Sequence, residues 1–117
     1  MKKDLYQELD EELSHYHNLE FHDFERLFEK FGIDFHGTLA IKGPKPGVII
    51  WDGWNYQAYQ ILCDYMNSRG LAYYPMDNFE FLLSEVDFDL PLAKPGRSYK
   101  RIHWLPTVLI KYERGSK

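Results

Sequence analysis

Between Asp4 and Tyr16 the apolar residues Leu5, Leu9 and Leu13 recur every fourth position, with Tyr6 and Tyr16 beside them. Glu8, Glu11 and Glu12 fall mostly elsewhere. This spacing predicts an amphipathic helix with an acidic outer face. Further on, Phe24, Leu27, Phe28 and Phe31 follow the i, i+3, i+4, i+7 pattern, with Asn18 as a cap and Gly32 as a stop. They predict a second helix, antiparallel to the first, with all four apolar residues in the core.

After Gly32 the pattern changes to alternation. Ile33 and Phe35 stand against Asp34 and His36, then Leu39 and Ile41 against Ala40 and Lys42, with Gly37 as a bend. This is strand chemistry. Gly43, Pro44, Pro46 and Gly47 make a turn, and the unbroken run Val48-Ile49-Ile50-Trp51 reads as a short central strand buried on both faces, closed by Asp52-Gly53. Asn55 opens a helix whose Ala58, Ile61, Leu62, Tyr65 and Met66 share a face and whose end is marked by Arg69-Gly70. Leu71 to Tyr74 is extended, Asp77 with Glu80 starts a short helix through Ser84, and Val86 to Leu92 alternate as a strand. A basic stretch from Ala93 to Pro106 leads into a last strand, Thr107 to Tyr112.

These elements predict an α+β fold. One domain spans residues 1–117, with a helical pair over 1–32 and a mixed strand and helix part over 33–117 that ends in a basic C-terminal β-hairpin. The expected architecture is an antiparallel or mixed sheet of four to five strands packed against three to four helices.

Composition adds two points. Rings are abundant, with nine Tyr, eight Phe and three Trp, enough to build much of the core and some exposed surface. The formal charge of −4 is unevenly divided: residues 94–117 hold seven bases and one acid, residues 1–93 seven bases and seventeen acids. Two faces of opposite potential are expected. The single cysteine, Cys63, cannot form an internal disulfide, and no apolar run approaches the length of a membrane span. Both features suit a protein of the cytoplasm, without membrane contact.

The candidate chemistry is sparse. His15, His17 and His22, with Glu20 and Asp23 nearby, are close in sequence, but His15 and His17 stand about 200° apart on a helix, a poor spacing for a shared zinc ion. They read as surface or helix-end histidines, so no metal and no cofactor is expected. Cys63 lies mid-helix, away from the cationic or N-terminal setting that activates a thiol. Asp52, Asp87 and Asp89 read as solvated positions rather than an acid and base pair. Singly spread glycines form no phosphate loop. A catalytic role is not indicated.

Binding remains. The segment from Lys94 to Trp104 combines Lys94, Arg97, Lys100 and Arg101 with Tyr99, His103 and Trp104. Cations attract phosphates and rings stack on bases, so Arg97, Tyr99, Lys100, Arg101, His103 and Trp104 are the candidate nucleic-acid contacts. The competing reading is a basic hairpin whose Tyr99 and Trp104 turn into the core. Helix 55–69, an extended piece, helix 77–84, a strand, a basic loop and a final strand are similar in order to the second half of a winged-helix DNA-binding domain. The chain departs from it in having one visible helix where two are needed, and acids Asp77, Glu80 and Glu85 about the would-be recognition helix. The expected function is a non-catalytic binding protein that contacts nucleic acid through the basic hairpin. The alternatives are an acidic protein-binding inhibitor or immunity-type factor, and a small-molecule binder or enzyme using an aromatic pocket.

Overall fold

A computed structural model describes residues 3–76 and 90–111. The expected helix 77–84, most of the strand 86–92 and the end of the last strand at Tyr112 lie outside the described residues. Helix α1 (Leu5–Tyr16) starts on a reciprocal capping box: the Asp4 side chain accepts from the Gln7 N–H, and the Gln7 side chain accepts from the Asp4 N–H, both at 2.8 Å. It ends at His17, whose φ of 63° is left-handed and whose N–H returns to the Leu13 carbonyl.

Helix α2 (Phe21–Lys30) is capped by Glu20, not by Asn18. The reason lies across the molecule. Leu19 exchanges both backbone hydrogen bonds with Leu109, at 2.9 and 2.8 Å, which holds residue 19 extended and delays the helix. Lys30 pairs with Glu8 and Arg26 with Glu12, so the end of one helix meets the start of the other and the two run antiparallel. Phe24, Leu27 and Phe28 are core, as expected, whereas Phe31 caps the helix and is only half-buried.

Strands β1 (His36–Lys42) and β2 (Val48–Trp54) form an antiparallel hairpin around the Gly43–Gly47 turn. Val48, Ile49, Ile50 and Trp51 are all buried, as befits a central strand. β2 does not close at Asp52-Gly53: Gly53 adopts φ 92° and lets the strand continue to the fully buried Trp54. Gly37 fits where it does because a Cβ there would lie 2.7 Å from the Trp54 carbonyl. Helix α3 (Tyr56–Arg69) has the expected caps, Asn55 accepting from the Ala58 N–H at 2.8 Å and Gly70 in the left-handed region.

β3 (Leu71–Pro75) pairs antiparallel with β5 (Thr107–Lys111), and β4 (His103–Trp104) lies parallel to β2. The described strands are therefore split between a mixed sheet in the order β1-β2-β4 and a two-stranded sheet β3-β5, fewer in any one sheet than expected. Among the described residues, the three helices and both sheets share one buried cluster. Trp54 sits in it with ring centroids of Phe28 at 5.4 Å, Phe21 at 5.9 Å, Phe24 at 6.3 Å and Phe35 at 6.5 Å.

Candidate nucleic-acid interface

The basic segment is a loop closed on itself. The Ala93 N–H donates to the Trp104 carbonyl at 2.7 Å and the Trp104 N–H to the Pro91 carbonyl at 2.9 Å, which leaves residues 94–103 as the excursion. Within it the Tyr99 hydroxyl accepts from the Lys94 N–H at 2.9 Å, and the Tyr99 ring stacks on His103 with centroids 3.7 Å apart and planes 16° from parallel. His103 Nδ1 lies 2.9 Å from the Arg101 carbonyl. Both rings are half-buried; Arg97, Lys100 and Arg101 are exposed.

Trp104 differs from the other five candidates. It is 2% exposed, its indole N–H donates to the Ile50 carbonyl at 3.2 Å, and its ring stands edge-on to Trp51 at 6.4 Å. Parallel pairing of Ile49 with Trp104 points this ring into the apolar core, so it offers no face to a ligand. Of the two readings of this segment, the core one holds for Trp104.

The loop does not stand alone. The Tyr99 N–H donates to the Pro46 carbonyl at 2.9 Å and the His103 N–H to the Gly47 carbonyl at 2.8 Å, which ties residues 94–103 to the β1–β2 turn. Gly47 is obligatory there: it has φ 77°, and a Cβ would collide with the Tyr99 carbonyl. The turn carries Lys45, and Lys42 ends the strand that leads into it. Neither residue stands out in the sequence, because the link from Pro46 to Tyr99 is nonlocal. Six cations, Lys42, Lys45, Lys94, Arg97, Lys100 and Arg101, thus come from two segments joined by these hydrogen bonds, the end of β1 with its turn and the 94–103 loop, and residues 35–51 and 90–111 contain no Asp or Glu. Among the described residues none of the six is in an ion pair.

The remaining C-terminal bases do not extend this patch in the described residues. Lys111 lies near Asp10, at the C-terminal ends of α1 and α3, and Arg114 and Lys117 are outside the described residues. Asp10 is the hub there. It accepts from Arg69 Nε at 2.8 Å, Arg69 Nη2 at 3.0 Å and the Tyr65 hydroxyl at 2.7 Å. The Arg69 bonds hold its carboxyl below the usual range, while burial, and then Asp10, push the Tyr65 phenol up.

The acidic helices look different from the basic loops. Glu8, Glu12 and Glu11 are matched by Lys30, Arg26 and Lys3 respectively. Among the histidines, His15 packs edge-on to Tyr16, His17 caps α1, and His22 lies 3.5 and 3.7 Å from Glu20 and Asp23. The described residues hold no group of three or more His, Cys, Asp or Glu arranged to bind a metal ion. Cys63 is a free thiol, half-buried, beside Tyr59, whose phenol is pushed up first by the hydrogen bond to that thiol. No described helix is long and apolar enough to cross a membrane. No family model, curated protein or solved structure matches the chain.

Proposed function

We propose that the protein is a non-catalytic, cytoplasmic nucleic-acid-binding protein that grips the phosphate backbone with its two adjoining basic loops. The observation that carries this reading is that two segments holding six cations and no acid are joined by hydrogen bonds in an otherwise acidic chain. Unpaired cations held close together repel one another and gain by meeting a polyanion, which releases its own counterions in exchange. Arg97, Lys100 and Arg101 contact phosphates, joined by Lys42, Lys45 and Lys94. Tyr99 and His103 hold the loop in shape through their mutual stack and the hydrogen bond to the Lys94 N–H. Trp104 acts from beneath as part of the core. A free thiol at Cys63 accords with a reducing compartment.

The inhibitor-type alternative needs acids available to a basic partner. Glu8, Glu11 and Glu12 are already paired with Lys30, Lys3 and Arg26, which favours the basic segments as the working surface. The test is a titration of the protein against labelled single- and double-stranded DNA and RNA at low salt, where electrostatic contact is least screened. Binding to at least one of them that weakens on neutralising Lys100 and Arg101 is the expected result. No binding to any of them overturns the proposal.

A further inference from the structure

A groove of about 310 Å³ opens beside the basic loops, between the two sheets. Ile50 and Leu105 lie along it, Tyr73, Tyr74 and Pro75 of β3 form one side, and Lys42, Gly43 and Pro44 of the β1–β2 turn form the other. The turn is the shared part: its first residues line the groove, and Pro46 and Gly47 hold the cationic loop by hydrogen bonds to Tyr99 and His103. The groove and the phosphate-gripping loops are therefore joined through one short turn.

Tyr74 gives this groove a stacking surface: it is 40% exposed, and the ladder with β5 fixes its backbone. Its neighbour Tyr73 points to the opposite face of the strand, where its centroid lies 6.1 Å from Phe21 at an interplanar angle of 18°, and Phe21 lies 5.0 Å from Trp51 at 12°. That stack anchors β3 and so holds Tyr74 in place, which limits the freedom lost when a ligand packs against it. The volume is at the lower end of the range for small-molecule sites, enough for one planar heterocycle and too small for a duplex. The bases of a duplex are stacked on one another and unable to enter, whereas unpaired bases are recognised by stacking on aromatic side chains beside a basic track.

We infer that this groove receives an unpaired nucleobase, stacked against Tyr74, while Lys42 and the adjoining loop hold the flanking phosphates, so that the nucleic acid bound is single-stranded. The inference rests on the nucleic-acid reading above and names its substrate class. The charge complementarity of the rim with a phosphate backbone selects this occupant over an uncharged ring or an apolar peptide.

The test compares a labelled oligothymidylate of about twelve nucleotides with a duplex of the same length, for the native protein and for Tyr74→Ala and Tyr74→Trp, at two salt concentrations. The native protein should bind the single strand at least about tenfold more tightly than the duplex. Tyr74→Ala should weaken single-strand binding by about 5- to 150-fold, the range for one lost base stack, with the slope of log affinity against log salt unchanged. Tyr74→Trp, which keeps a stacking ring, should retain the preference, and it also serves if the alanine variant melts early. Equal affinity for both forms, or a single-strand preference that Tyr74→Ala and Tyr74→Trp both leave intact, overturns the groove and leaves the basic loops standing. No binding of either form at low salt overturns both.

Discussion

Trp54 is fully buried, yet its indole N–H is satisfied by a single carboxylate oxygen: Glu25 Oε2 accepts from Trp54 Nε1 at 2.8 Å and from Trp51 Nε1 at 2.9 Å. One glutamate thereby joins α2 to two tryptophans of β2. Hydrogen bonds to a charged acceptor contribute about 1.5–3 kcal/mol, so Glu25→Ala should lower unfolding free energy by at least that amount, and Glu25→Gln, which keeps an acceptor oxygen, by less. Denaturant titration followed by tryptophan emission checks the order of the two. Phe28 lies in the same cluster with no exposed surface, and Phe28→Ala should cost about 3–5 kcal/mol; a loss under about 1 kcal/mol would contradict its place in the core. Asp10 provides a pH signature. Its folded value is depressed below 3.8 by Arg69, so its contribution is fully present above that value and is lost as pH falls through the folded value. The stability difference between the native protein and Asp10→Asn should therefore be constant near neutrality and shrink below about pH 4 in urea titrations run at stepped pH.

At the scale of elements, what could be read ahead was whatever is decided locally. Asn55 and Gly70 bracket α3 through bonds to their own neighbours, the leucines of α1 and phenylalanines of α2 repeat at the helical period, and the apolar run at Val48 to Trp51 marks the central strand. What was hidden depends on distant partners. Leu19 gives its backbone to Leu109, which moved the α2 cap from Asn18 to Glu20. β3 and β5 find one another across more than thirty residues and divide the strands into two sheets, and no periodicity encodes that pairing. The cationic segment was visible as composition, but Trp104 belongs to the core because β4 pairs with β2, and Lys42 and Lys45 join the site because Pro46 bonds to Tyr99. Gly47 is the hinge of that contact. Gly47→Ala combines a strained positive φ with a collision at the Tyr99 carbonyl, and it should cost about 1–3 kcal/mol. Limited proteolysis should then cut residues 94–103 faster than in the native protein, whereas unchanged cleavage would show that the two loops are not docked on one another.

Across the whole molecule, charge is sorted by use. Glu8 and Glu12 of α1 pair with Lys30 and Arg26 of α2, and Asp10 ties α1 to α3 through Arg69 and Tyr65. Lys42, Lys45, Lys94, Arg97, Lys100 and Arg101 are exposed and face outward, where we propose that they meet phosphates. The most direct measurement is the slope of log affinity for single-stranded DNA against log salt concentration, for the native protein and for Arg97, Lys100 and Arg101 replaced together by alanine. Each phosphate contact removed lowers the slope by about 0.7, so the triple variant should bind more weakly at low salt with a slope shallower by about 2, and its thermal midpoint should match the native one because all three side chains are exposed. A native slope near zero, or a triple variant with an unchanged slope, would contradict the assignment of these loops as the phosphate grip.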